Sequence, residues 1–396
     1  MAGHGKSLLE EARELQERVV ALRREFHRHP EASFEEHWTA AKVEEELRRL
    51  GLEPVRVGGT GVMADITGEG GPGGKIFALR GDMDALEVEE ETGLDFASER
   101  KGYMHACGHD AHTAALLGAA MLLLSRKEAF RGTLRLIFQP AEEKVRGAEL
   151  LIREGVLSGV DAIFGQHIWA PLESGKISIQ DGPRMAASDV FTIHIRGKGG
   201  HAGLPHETVD AAVVTSAVVM ALQSLVSREM NPQDPVVVTV GEVHSGSRNN
   251  IIPDKGIIKG TVRTFNEDVR RQIPGAIERI ATNTARAYRG EAEMEYQSGV
   301  AVTKNDPLMA ALARGSARKL FGEDRFQEVS PVGGAEDFAC YLQKIPGAFG
   351  FFGGKSPNPE ASSAHHHPKF DIDEARICEM AALYAQVGLD YLDSGE

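Results

Sequence analysis

Three short apolar runs, at residues 76–80, 133–139 and 161–167, each lead directly into side chains that bind protons or metals. The first runs into Arg80-Gly-Asp82-Met-Asp84, the second into Gln139-Pro-Ala-Glu142-Glu143, and the third closes on Gly165-Gln-His167. Runs of this length bounded by turn residues read as strands, and the helical patterns lying between several of them make the chain α/β. Ligands in α/β sheets collect beyond the carboxyl ends of the strands. Three strands therefore offer candidate ligands to one rim.

A further motif adds softer donors. The stretch from Gly102 reads Gly-Tyr-Met-His-Ala-Cys-Gly-His-Asp-Ala-His-Thr, so only Gly108 separates Cys107 from His109. One sharp bend there aims sulfur and nitrogen at the same ion, and borderline-soft divalent metals accept both. The apolar run 114–124 that follows is too short to cross a bilayer and reads as a buried helix beneath the site.

Each motif has an ordinary alternative. Cys107 reads equally as a buried thiol beside surface histidines, Glu142-Glu143 as a solvated acidic pair, His167 as a satisfied core group, and His366 as one of three adjacent histidines. Taken together, the motifs supply Cys107, His109, Glu143, His167 and His366, five donors that suit two metal ions better than one. Two neighbouring carboxylates at a strand end divide the labour a hydrolase needs, one binding metal and the other taking a proton from water.

Composition narrows the partners. A net charge of −14 over 396 residues argues against a phosphate backbone or an anionic membrane as partner, and for a small-molecule substrate. Hydrophobic content of 42% with 26% charged residues fits a soluble globular chain of about two domains. The three cysteines, Cys107, Cys340 and Cys378, make no disulfide framework, and residues 1–24 lack the apolar core of a signal peptide. The expected location is the cytoplasm.

Helices are expected at 7–27 and 35–50, and a strand at 61–66 before the glycine-rich turn 68–74. Around Gly182-Pro183 the pattern changes to a strand at 189–196, a helix at 207–228, strands at 236–243 and 256–263, a helix at 268–288 and a strand at 293–296. That β-α-β-β-α-β order is ferredoxin-like. The α/β pattern then resumes with a helix at 307–320, a loop at Gly333-Gly334, a strand at 348–352 and a helix at 373–391. The expected organisation is a discontinuous metal-binding catalytic domain, 1–184 and 297–396, interrupted by a lid domain at 185–296. The strand 189–196 is expected to keep a free edge that pairs with its two-fold copy, beside the helix after His206, so that the inserted domain makes a homodimer.

The motifs jointly carry a resemblance. They are Phe26-His-Arg-His-Pro30, Met104-His-Ala-Cys-Gly-His-Asp-Ala-His112, Phe138-Gln-Pro-Ala-Glu-Glu143, Gly200-His-Ala-Gly-Leu-Pro-His206, Asn250-Ile-Ile-Pro-Asp254, Gly334-Ala-Glu-Asp-Phe338 and Phe370-Asp371. The chain resembles the aminoacylase and carboxypeptidase superfamily of dinuclear metallo-amidohydrolases. Its branch is that of the hippurate hydrolases, N-acyl-amino-acid amidohydrolases and plant auxin-conjugate hydrolases. The resemblance implies a mixed-sheet zinc-peptidase-like catalytic domain with an inserted ferredoxin-like α+β dimerisation domain. It also implies two divalent ions, zinc, manganese, cobalt or nickel, on Cys107, His109, Glu143, His167 and His366, with Glu142 as general base. His201 is implied to reach the partner subunit's active site and steady the oxyanion, and Asn250, Arg263 and His206 to hold the substrate. The implied reaction is hydrolysis of N-acyl amino acids. An N-acetyl-diaminopimelate deacetylase, a metallo-dipeptidase or carboxypeptidase, and a non-catalytic metal-binding relative are the alternatives.

Two positions depart from the pattern. Other branches place a metal-binding histidine two residues before the first aspartate, where this chain has Arg80, so Asp82 is expected to orient its neighbours rather than bind metal. The ligand that bridges the metals stays open. Glu87 stands where the branch usually has proline.

Overall fold

The computed structural model describes residues 6–394, so residues 1–5 of the N-terminal stretch and the last two residues of the expected catalytic domain lie outside the described part. The chain forms two compact units, Met1–Arg184 with Lys304–Ser330 and Glu336–Glu396, and Met185–Thr303 with Pro331–Ala335.

The first unit is organised on a seven-stranded sheet. In spatial order its strands are Val55–Val57, Gly61–Thr67, Thr133–Gln139, Ile76–Asp82, Ala162–Trp169, Gly347–Gly353 and Ile177–Ser178. The four strands from Thr133–Gln139 to Gly347–Gly353 run parallel, and the flanking pairs are antiparallel, which makes the sheet mixed. The central strands are buried along nearly their whole length, as parallel strands covered on both faces must be. Helix His109–Leu124 is buried all round and packs against Gln16–Arg28 and Ile377–Asp393. The expected N-terminal helix is divided at Leu15 into Leu8–Glu14 and Gln16–Arg28, the first opened by a capping box between Ser7 and Glu10.

Pairing register is what builds the rim. Asp82 lies opposite Gln139, and Arg80 opposite Gly165. The loops leaving these strands therefore start level with one another, carrying Asp84 beside Glu142 and Glu143.

The second unit is a four-stranded antiparallel sheet in the order Val236–Ser245, Lys255–Thr264, Ala187–Arg196, Glu291–Ser298. Helices Ala211–Ser224 and Glu267–Ala287 cover one face, and Phe191, Ile193 and Ile195 meet Val214, Val218, Leu222, Ile273 and Ile277 in the core. This corrects the expectation of a free edge on strand 189–196. In a ferredoxin-like order the first strand sits between the third and fourth, so both its edges are hydrogen-bonded: Arg196 lies opposite Lys255 on one side and Glu291 on the other. Among the described residues, the outer strands of this sheet are Val236–Ser245 and Glu291–Ser298. The segment Ala211–Glu229 is long and apolar enough to cross a bilayer by composition, but it buries the row Val214, Val218, Leu222 and Leu225 against the unit's own core. Its opposite face exposes Val213 and Met220.

Candidate metal centre

Gly108 makes the Cys107-His109 bend possible. Its φ of 95° lies in the left-handed region, and a Cβ there would sit 2.5 Å from Ile168 Cγ2, so both conformation and space require glycine. The helix begins at His109, whose Nδ1–H donates to the Asp84 carbonyl at 2.9 Å. That bond fixes the tautomer and leaves the buried Nε2 without a hydrogen-bond partner. Nε2 lies 3.9 Å from Glu143 Oε1 and 4.0 Å from Glu142 Oε2, and Glu143 Oε1 is likewise buried and unpartnered.

His167 is held in the same manner. Its Nδ1–H donates to the Ile168 carbonyl at 2.7 Å, and its Nε2 lies 3.4 Å from Cys107 Sγ. Burial, with His112 and His365 nearby, holds its pKa well below the usual value, so its nitrogen is a neutral donor. Burial and then Glu143 push the Cys107 thiol well above its ordinary range; a cation at this point is what would ionise it.

Glu142 and Glu143 sit on a loop that departs from ordinary backbone geometry. Ala141 has φ 54° and Val145 φ 55°, and Gly147 packs so closely that a Cβ would lie 1.6 Å from the Pro140 carbonyl oxygen. A left-handed non-glycine residue costs about 1–2 kcal/mol. Hydrogen bonds to charged acceptors, about 1.5–3 kcal/mol each, offset this. The amides of Glu142 and Glu143 donate to the two oxygens of Asp84 at 3.1 and 3.0 Å, that of Ala141 to Glu36 at 2.8 Å, and that of Ala148 to Asp337 at 2.9 Å. Burial, then Glu336 and Glu143, push the Glu142 carboxyl well above the usual carboxylate range, while burial pushes Glu143 up to about 7.

Asp82 accepts from His112 Nδ1 at 2.5 Å and from Arg80 Nη1 at 2.5 Å. His112 Nε2 in turn accepts the Ile168 amide at 2.8 Å, so both its nitrogens are engaged. Against a burial cost that would raise it, Arg80, His109 and His112 hold the Asp82 carboxyl well below its usual pKa. Arg80 also donates to Gln139, Glu336 and Asp337, at 2.8, 3.0 and 3.0 Å, and is itself 1% exposed. It is the cationic hub beneath a rim crowded with carboxylates.

The histidine triplet divides. His365 stacks on Trp169 with ring centroids 4.6 Å apart, its Nδ1 lies 3.7 Å from Cys107 Sγ, and burial pushes its pKa down to about 3. His366, at φ 65°, donates its amide to the Ala106 carbonyl at 2.8 Å and brings Nε2 to 3.5 Å from Glu143 Oε2. The donors fall into overlapping groups: Cys107, His109 and His167; Cys107, Glu143 and His366; His109, Glu142 and Glu143. Within each, the ligand atoms lie within 4.8 Å of one another. Thiolate, imidazole and carboxylate together fit borderline divalent cations. Cys107 belongs to two of these groups.

The other expected residues lie in the second unit. His201 sits opposite Ile251, and its Nδ1 accepts the Gly203 amide at 3.0 Å, which leaves Nε2–H facing outward. Asn250 precedes Ile251 and its carbonyl accepts the Ala202 amide at 3.2 Å, while His206 is exposed nearby. Arg263 lies opposite Ser188, eight residues along its strand from Lys255. At about 3.3 Å per residue it is roughly 26 Å from the end of the sheet beside the His201 segment. The structure brings His201 and Asn250 together and sets Arg263 apart. Sequence reasoning left Glu36 unremarked and gave Asp84, Arg80, Glu336 and Asp337 no binding or orienting role, although all but Glu36 stood in quoted motifs.

Comparison with known proteins follows the same lines. The chain is 41% identical over 384 residues to an N-acetyl-L-cysteine deacetylase of Bacillus subtilis, covering 96% of this chain and 90% of that one. It is 46% identical over 283 residues to an N-acyl-L-amino acid amidohydrolase of Geobacillus stearothermophilus, covering 71% of this chain and 76% of the relative. A solved dinuclear metal binding peptidase of the M20 family from Bacillus subtilis superposes with a TM-score of 0.86 at 36% identity, over 96% of this chain and 99% of that one. The model of peptidase family M20/M25/M40 matches residues 78–389, and the chain belongs to that family.

Proposed function

We propose that this protein is a metal-dependent amidohydrolase that cleaves the amide bond of N-acyl amino acids, using two divalent cations and Glu142 as general base. One observation carries the proposal: buried donors with open valences, His109 Nε2 and Glu143 Oε1, face the same space as the carboxylate of Glu142. The names of the relatives, a deacetylase of N-acetyl-L-cysteine and an N-acyl-L-amino acid amidohydrolase, support the substrate class.

Cys107, His109, Glu143, His167 and His366 would hold the cations; Cys107, His109 and Glu143 each belong to two of the three overlapping donor groups. When bound, such ions polarise the scissile carbonyl and bring the pKa of the attacking water toward roughly 7. Glu142 takes the proton from that water and returns it to the leaving amine, a role suited to a carboxyl whose pKa burial has raised. Asp84 keeps Glu142 and Glu143 at fixed angles through their amides and orients His109 through its own carbonyl. Asp82 holds His112, and so the Ile168 backbone beside His167.

His201, with Nε2–H outward, is suited to donate to the oxyanion, and Arg263 with Asn250 to hold the substrate carboxylate. His201 lies in a separate two-stranded pairing with Ile251–Ile252, and Arg263 stands roughly 26 Å along its own strand from the Lys255 end beside that pairing; in a two-fold dimer the two would serve different sites, His201 reaching the partner's. The exposed Val213 and Met220 on helix Ala211–Ser224 and the outer strand Val236–Ser245 are the surface such a dimer would cover. The donor set suits zinc, manganese, cobalt or nickel. All three cysteines are unpaired, in keeping with a cytoplasmic enzyme.

The test is a panel. Chelated protein reloaded with each metal in turn should hydrolyse N-acetyl and longer N-acyl amino acids and leave N-acetyl-diaminopimelate and dipeptides as poorer substrates. Equal or better turnover of dipeptides would move the activity to a peptidase, and activity that chelation leaves untouched would remove the metals from the account.

A further inference from the structure

We propose that Glu36 is a positioning residue for the general base, holding the amide of Ala141 so that the strained turn presents Glu142 in one direction. The inference rests on the assignment of Glu142 above. Glu36 is fully buried and lies 105 residues before Ala141 in the chain. Its Oε1 accepts the Ala141 amide at 2.8 Å, and its Oε2 accepts the Thr60 hydroxyl at 2.6 Å.

The ordinary explanation for an acid at this place is helix capping, because Glu36 stands at the N-cap of helix His37–Arg49. The contacts rule it out. The Glu36 side chain makes no capping bond; the amide of His37 donates to the Glu35 carbonyl at 2.7 Å, and the next two, of Trp38 and Thr39, donate to Glu31 at 3.1 and 2.8 Å. Burial and nearby Asp84 push the Glu36 carboxyl up to about 7, so an acid here is costly to keep and its two hydrogen bonds are what it accomplishes.

Ala141 is where the tether matters. It is left-handed, it directly precedes Glu142, and the next two amides are held by Asp84. Three successive N–H groups thus converge on two buried carboxylates, the backbone concavity that binds anions, here filled from within the protein. The segment that carries Glu36 also braces Asp84, through the Ser33 hydroxyl at 2.6 Å and a bridge between Ala32 and Ala85. One short stretch therefore fixes both carboxylates on which the catalytic turn hangs.

The experiment compares Glu36→Ala, Glu36→Gln and Glu36→Ala with Ala141→Gly, reading kcat, KM, bound metal and melting temperature, with Glu142→Gln alongside. Misplacing a catalytic group costs up to about 100-fold, so Glu36→Ala should lower kcat roughly 10- to 100-fold, with KM and metal content nearly unchanged. Glutamine keeps an oxygen for Ala141 and should retain most of kcat. Glycine at 141 adopts the left-handed conformation freely and should recover part of what Glu36→Ala loses. Full kcat in Glu36→Ala, a loss explained by missing metal, or a loss that neither glutamine nor glycine relieves would overturn the proposal. Should Glu36→Ala not fold, Thr60→Val, which frees the carboxylate from its second bond, should lower kcat about threefold, and unchanged kcat would overturn it. If Glu142→Gln is fully active, the base assignment itself falls; if Glu142→Gln is dead while Glu36→Ala is fully active, only the positioning role does.

Discussion

In the first unit, His109 and His167 are buried, each with one ring nitrogen bonded to a backbone carbonyl, the other nitrogen being unpartnered in His109 and beside Cys107 Sγ in His167, and the amides of Glu142 and Glu143 are fixed to Asp84. In the second unit, His201, Asn250 and His206 are exposed on a two-residue strand, a turn and a 3-10 turn, with His201 Nδ1 accepting the Gly203 amide and the Asn250 carbonyl accepting that of Ala202. Geometry is preset where metal and base must act, and an angle or distance error there is expensive. It is looser around His201, the residue proposed to reach the partner subunit's site. The same division separates Arg80, with 1% exposure and four partners, from Arg263, whose Nη1 is buried without one. Arg80 is engaged by its neighbours, and Arg263 is the arginine proposed above for the substrate carboxylate.

The comparison breaks most visibly at Gly108. Gly108→Ala forces a Cβ to 2.5 Å from Ile168 and strains a φ of 95°, so the Cys107-His109 bend should be lost. Metal analysis of that variant should find most of the bound metal gone and turnover below detection. Full metal content would mean that the bend is not part of the metal site.

The second region should fail differently. An oxyanion donor contributes roughly 3 kcal/mol, so His201→Ala should lower kcat about 10²-fold or more, with metal content intact and KM little changed. Mixing it with Glu142→Gln protein under conditions of subunit exchange should restore part of the activity, since one site of a mixed dimer then has both native residues. No recovery, with heterodimers shown to form, would place the action of His201 within its own chain or nowhere.

The smallest effect belongs to Arg263. Arg263→Lys keeps charge but loses the planar fork, and should raise KM for N-acyl amino acids about tenfold with kcat less affected. An unchanged KM would return Arg263 to the status of a structural residue.

Much of this was legible from the chain. The strand Thr133–Gln139 has the bounds its apolar run predicts, and the ferredoxin-like order of the second unit follows from its alternation of patterns. Periodicity shows that a strand exists and not which strands flank it, which is why 189–196 was expected at an edge and lies in the middle. The proposed donor residues were visible because metals demand particular side chains at turns. What holds them was not: Glu36 meets Ala141 across 105 residues and Asp84 meets Glu142 across 58, through backbone amides that every residue possesses. A bond to an amide leaves no trace in the identity of its donor. The histidine triplet is a milder case, for His365 and His366 differ only in the local backbone that sends one to Trp169 and the other to Glu143.

The account turns on Glu142, and one variant tests it most directly. Glu142→Gln keeps the size of the side chain and every backbone contact with Asp84, and removes only the capacity to carry a proton. Removing a general base costs on the order of 10²- to 10⁴-fold in kcat. The account predicts a loss in that range with two metal equivalents still bound and the melting temperature unchanged; near-native turnover in the fully metallated variant would contradict it.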